Sequence, residues 1–140
     1  MIVQTQCTSF KVNLLSGLEN FANGTPYVYK IALYTANADL NANTTAYTTQ
    51  EEITGAGYTA GGETLTVIPP NSSNTTAFIS FANAVWSSAT FTCRGALIYN
   101  SNTSASVAVL NFGSDKTVTN QTFTVTFPSA VADTAIIRIA

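Results

Sequence analysis

Chemistry in this chain would have to start from Asp39, Glu51, Glu52, Glu63, Asp115 and Asp133, because histidine is absent from all 140 residues. Without an imidazole, neither a Ser-His-Asp nor a Cys-His nucleophile can be assembled. Two carboxylates facing across a cleft would suffice for glycoside hydrolysis. Glu51 and Glu52 are adjacent, however, so on extended backbone they point to opposite sides and read as solvated loop charges. Asp39, among Asn and Thr oxygens, has the hard-ligand character that calcium takes, but the spacing matches no EF-hand loop. The GAGYTAGG run lacks the Lys-Ser/Thr ending of a phosphate-binding loop. Cys7 and Cys93 lie far apart with no CxxC pair, which excludes a Cys/His zinc site. They read as small buried hydrophobes, with a disulfide as the alternative. The chain is therefore expected not to be an enzyme and to use no cofactor and no metal.

Charge narrows the partners. Lys and Arg total 5 against 7 Asp and Glu, and the 9% charged fraction is far below the usual ~25%. Five scattered basic residues form no stripe that could neutralise several phosphates, which argues against nucleic acid. No apolar run approaches the ~20 residues of a membrane-spanning helix, and MIVQTQCTSF lacks the basic and apolar regions of a secretory signal. Thr, Asn and Ser do the solvating, and such a surface suits packing against neighbours. Arg94 and Arg138 sit inside or beside apolar runs, so each must pair or reach an edge; Glu63 or Asp133 is the expected partner within the fold, with an intermolecular pair as the alternative.

These residues are to be positioned by a single domain over residues 1–140, with residues 1–8, including Ile2 and Val3, as an extended arm. Phe10, Leu14, Leu18 and Phe21 fall at helical spacing, which predicts one helix capped by Ser9 and ended by Asn23-Gly24. Everything after Pro26 reads as strands. YVYKIALY, ETLTVI, TAFISF, ATFTCRG, ALIYN, SVAVLNF, QTFTVTF and AIIRIA are separated by Gly, Pro, Asn and Ser, with Gly113–Lys116 as a turn. In ATFTCRG, Phe91 and Cys93 share one face; in QTFTVTF, Phe123, Val125 and Phe127 point inward. The polar stretch between YVYKIALY and ETLTVI, residues 35–62, is long for a loop and should carry function or a strand at Tyr58–Ala60. The fold expected is mainly β: an antiparallel, jelly-roll-like β-sandwich with one short N-terminal helix.

Two blocks, TTAYTTQEEITGAGYTAGG and RGALIYN, together with FKVNLLSGLENF, resemble a family of small tailed-phage virion proteins, the cement or capsid-decoration proteins of short-tailed phages. The likeness runs over nearly the whole chain. It implies a jelly-roll protein on the outer surface of the virion, made in the bacterial host cytoplasm. Its partners would be the major capsid protein and a second copy of itself, as a homodimer, and its work would be to stabilise the expanded head by bridging capsomers. It supplies no catalytic residues. A carbohydrate- or receptor-binding jelly roll, using Tyr47, Tyr58 or Trp86 to stack on sugars, and a tail or neck structural protein are the alternatives.

One feature of the strands bears on that role. The runs Ala96–Tyr99, Val107–Phe112 and Ala135–Ile139 are apolar on both faces, so something beyond an opposing sheet must cover them. The helix, a second subunit or the capsid would do so. On that argument Ile2, Val3, Arg94, Ile98 and Tyr99 are the candidate interface residues.

Overall fold

The computed structural model describes residues 1–140 as an antiparallel β-sandwich with one short helix. In chain order the elements are β1 (Thr5–Gln6), α1 (Thr8–Leu15), β2 (Tyr29–Tyr34), β3 (Glu63–Thr64), β4 (Val67–Ser73), β5 (Thr76–Phe81), β6 (Ala84–Asn100), β7 (Ser106–Val125) and β8 (Ile137–Ile139). Five strands form one sheet in the order β1-β7-β6-β2-β3, and three form the other as β4-β5-β8. Every strand pair is antiparallel.

The apolar runs merge into longer strands than their punctuation implies. Residues 84–100 form one strand and 106–125 its hairpin partner. Register explains how. Cys93 pairs with Lys116 and Gly95 with Asn111, so residues 112–115 bulge out opposite Arg94 instead of ending the strand. Gly113, at φ 81°, sits in that bulge, not in the expected turn.

The helix is shorter than its periodicity. It ends at Leu15, where Gly17 adopts φ 74° while Leu18 N–H bonds to the Asn13 carbonyl and Gly17 N–H to that of Leu14. This is the left-handed closure that glycine favours after a helix. Cys7, not Ser9, occupies the N-cap, and it makes no side-chain capping bond. Phe10 and Phe21 are buried nonetheless, with ring centroids 6.0 Å apart, whereas Leu18 is left exposed.

Both faces of the central strands are covered from within the chain. Paired residues share a face, so Ile31, Ile98 and Ala108 lie on one side with Leu33, Ala96 and Leu110. That side meets the three-stranded sheet, where Phe81 packs with Tyr29 and Phe21. Ala32, Leu97 and Val109 lie on the other side with Tyr34. There the Tyr47 ring stacks on Tyr99 at 4.6 Å, and the Tyr34 and Tyr99 hydroxyls donate to the Thr48 and Gly61 carbonyls. The segment 35–62 thus forms a lid over the second face. Tyr58–Ala60 is not a strand: Tyr58 N–H bonds to Gly55 O and Gly62 N–H to Thr59 O, closing successive turns.

Candidate functional site

The expected interface residues do not form a surface. Ile98 is fully buried and Tyr99 nearly so, both within the main hydrophobic cluster. The lid and the opposing sheet take the roles assigned to a partner. Ile2 is buried as well: its side chain fills the space over Gly95, it bridges to Leu40, and its carbonyl accepts from Asn111 Nδ2 at 2.9 Å. Residues 1–6 are therefore a docked strand edge and not a free arm, although Val3 remains exposed. Arg94 pairs across the bulge, its Nε donating to Asp115 Oδ1 at 2.9 Å, and neither Glu63 nor Asp133 is its partner. Arg138 donates to the Ala132 carbonyl.

Of the candidate acids, Glu63 and Asp133 are exposed, Glu51 accepts from the Thr35 hydroxyl, and Glu52 makes the most hydrogen bonds. Glu52 accepts from the Tyr47 hydroxyl on Oε1 and, on Oε2, from the Tyr58 hydroxyl at 2.6 Å and Gly61 N–H at 2.8 Å. It is the anchor of the lid, not a solvated loop charge. Burial, and then the adjoining carboxylate, pushes both phenols above their ordinary range. Glu52→Ala removes three charge-assisted bonds and strands two half-buried hydroxyls. We expect a loss of about 3 kcal/mol, read from the midpoint of urea unfolding; a change below about 0.5 kcal/mol would mean the lid is held by ring packing alone.

Asp39 accepts from Asn41 Nδ2, and nowhere do three Cys, Asp or Glu side chains converge as a metal site would require. Cys7 and Cys93 are both free and buried, and burial pushes the Cys93 thiol up to about 12. Trp86 is buried against Phe91 and Phe123, and Tyr47 and Tyr58 are tied to Glu52. Trp86 is therefore not free to stack on a sugar, whereas Tyr47 and Tyr58 are only partly buried. No helix is long and apolar enough to cross a membrane.

A surface the sequence did not point to remains. The loop after α1 lies against the inner face of the three-stranded sheet but does not fill it. A groove of about 250 Å³ stays open there, lined by Leu14, Phe21, Ala77, Ile79, Ile137 and Ile139 among others. Beside Leu14 and Glu19 in the chain, Leu15 is 88% exposed and Leu18 56%, and Ile139 of the groove wall is 56% exposed. Glu19 is the only ionisable residue lining the groove. Its Oε2 accepts from the Tyr29 hydroxyl at 2.7 Å and from Asn100 Nδ2 at 3.2 Å, while its buried Oε1 has no partner. It was absent from the candidate acids because it sits inside the amphipathic stretch, and a single acid between Leu18 and Phe21 reads as the polar side of a helix.

Burial raises the Glu19 pKa, and the bonds from Tyr29 and Asn100 only partly oppose this. A carboxyl with a raised folded-state pKa binds its proton more tightly in the native state. Its stabilising contribution is thus fully present below the unfolded value near 4.5 and is lost as pH rises through the folded value. Glu19→Gln, which cannot ionise, should flatten that decline. The expected result is a wild-type advantage at acidic pH that shrinks on raising pH; thermal melts of both proteins from pH 4 to 8 check it.

No protein-family model matches the chain, and neither a curated protein nor a solved structure does.

Proposed function

We propose that the chain is a structural virion protein, a cement or decoration protein that binds the outside of an expanded phage head and bridges neighbouring capsomers of the major capsid protein. The observation that carries this reading is the largely apolar groove left open beside a closed core, with Ile139 exposed in its wall and Leu15 and Leu18 exposed next in sequence to its residues Leu14 and Glu19. Such patches mark interaction sites on otherwise soluble domains. The low charge of the whole surface and the sequence blocks described above support the same reading. A closed, rigid core also suits a clamp, because little conformational entropy is lost on docking.

The mechanism is mass action. A protein that binds the expanded lattice and not the precursor lowers the free energy of the mature state. A homodimer spanning two capsomers would gain effective concentration at its second contact, so each contact can be weak.

The test is co-sedimentation of the purified protein with expanded, cement-free heads and with unexpanded precursors of the same phage. Saturable binding to expanded heads alone is expected. Binding to neither would overturn the reading in favour of a tail or neck role.

A further inference from the structure

Asn23-Gly24 is the one place in the chain where asparagine precedes glycine. The pair lies in the segment between α1 and β2, and both residues are exposed. Gly24, at φ 78°, is the third residue of a turn closed by Thr25 N–H donating to the Ala22 carbonyl at 3.0 Å. Such a turn takes glycine at that position. Between Glu19 and Tyr27 it is the only backbone–backbone bond. Asn20 Oδ1 and Thr25 Oγ1 accept from Ala22 N–H and Tyr27 N–H, which leaves the Asn23 side chain and Gly24 N–H unpaired. The asparagines followed by serine are held otherwise. Asn71 lies in β4 with its Oδ1 accepting from Ser72 N–H, and buried Asn100 ends β6 with its Nδ2 donating to Glu19.

A backbone nitrogen next to an asparagine carboxamide is an intramolecular nucleophile, and its attack closes a five-membered ring. A Cβ on the following residue hinders that approach, whereas glycine has none and its backbone turns freely. Nothing lies within 4 Å of where a Gly24 Cβ would stand, so no neighbouring element walls off the site. Ring closure requires rotation about the Asn23 Cα–C bond, which one turn bond opposes. A segment with so few backbone bonds opens locally at little cost.

We propose that Asn23-Gly24 is a site of spontaneous covalent modification through a succinimide. The Gly24 nitrogen bonds to Asn23 Cγ, the Cγ–Nδ2 bond breaks, and Nδ2 leaves as ammonia with the proton from the Gly24 amide. Water then opens the ring. Attack at Cγ leaves aspartate at position 23, and attack at the main-chain carbonyl leaves isoaspartate. One water is consumed and one ammonia released. Each event adds a negative charge to a chain of net charge −2. The turn and Leu65, Val67 and Pro69 line a hollow of about 190 Å³, and Phe21 and Ala22 also line the larger groove, so the charge enters beside both. Isoaspartate also lengthens the main chain by a methylene within the turn that the Ala22–Thr25 bond closes. None of this depends on the decoration reading.

The test is to age the purified protein at pH 7 and pH 9 and sequence its tryptic peptide Val12–Lys30 by electron-transfer mass spectrometry, which separates aspartate from isoaspartate. Both products are expected at position 23 before any other asparagine converts. Conversion should be faster at pH 9, because the attacking nitrogen must lose its proton. Gly24→Ala should slow it at least about tenfold by restoring the Cβ. Wild type unfolded in urea should convert no more than about fivefold faster than native protein, since the turn opens readily. Asn23 that stays intact, or converts no faster than Asn71 or Asn100, overturns the site. Aspartate without isoaspartate, or an unchanged rate in Gly24→Ala, overturns the succinimide route. Native protein lagging far behind the unfolded chain would show that the turn protects Asn23, and the proposal would fall for the folded state. Should Gly24→Ala fail to fold, Asn23→Gln supplies the second variant. The acidic species that grows in on ion exchange should be missing from it, and its persistence would overturn the site.

Discussion

Ile98→Asp is expected to abolish folding rather than to dissociate an assembly. Ile98 has no exposed surface, and its neighbours across the strands are Ile31 and Ala108 on the face that meets the second sheet. Removing the side chain forfeits about 1.5–3 kcal/mol of apolar burial. The carboxylate must in addition be desolvated or protonated among groups that cannot hydrogen-bond it. The sum exceeds about 4–5 kcal/mol, the range reserved for buried charges and large core defects. Against a typical total of about 5–15 kcal/mol, the variant should be insoluble, or lose its near-ultraviolet circular dichroism at 25 °C. Ile98→Val, which keeps the chemistry, should cost only about 1 kcal/mol. A soluble Ile98→Asp protein with native dichroism would mean that this face of β6 opens to solvent or to a partner, and the core assignment would fall.

That substitution also separates what the sequence could disclose from what it could not. Two-sided apolarity in ALIYN and VAVLNF correctly shows that both faces are covered where β6 and β7 pair over residues 96–100 and 106–110. It does not identify the cover. The lid side chains Leu40, Tyr47, Ile53 and Tyr58 come from a stretch with no period of two or of 3.6, so nothing marked them as core-facing. The sequence leaves the helix, a second subunit or the capsid as the cover, with Ile98 and Tyr99 among the candidate interface residues; it offers no sign of the lid. Strand alternation is legible where one face meets water: buried Phe91 and Cys93 alternate with exposed Thr90 and Thr92, and buried Val125 and Phe127 with exposed Thr124 and Thr126. The helix was overextended because Leu18 and Phe21 continue its spacing while the chain has already turned at Gly17. Glycine in the left-handed region looks the same in sequence whether it ends a helix or weakens one. The groove was invisible for a related reason. Its walls come from residues 14–22, 70–79 and 137–139, and only the packed fold brings them together.

Gly62→Ala should be among the most damaging single-methyl changes available to this protein. Gly62 has φ 80°, and a Cβ built there would lie 1.8 Å from the Ile31 carbonyl oxygen and 2.8 Å from Ala32 Cα. The obstacles are backbone atoms of β2, so no rotamer change relieves them. The chain must run this close, because Glu63 and Thr64 pair with Ile31 and Lys30 immediately afterwards as β3. Gly61 fixes the approach from the other side, its N–H donating to Glu52 and its carbonyl accepting from the Tyr99 hydroxyl. Two penalties therefore add. A left-handed backbone costs a non-glycine residue about 1–2 kcal/mol, and displacing β3 from β2 would break the ladder and loosen the lid. Gly113→Ala isolates the first term: Gly113 has φ 81°, with nothing within 4 Å of its added Cβ. Urea denaturation should show a loss of about 1–2 kcal/mol for Gly113→Ala and of more than about 4 kcal/mol for Gly62→Ala. The difference between them measures the close approach itself. Equal losses would show that Gly62 is needed only for its dihedral angle, and the lid would then be held by Glu52 and the tyrosine stack rather than by backbone seated on backbone.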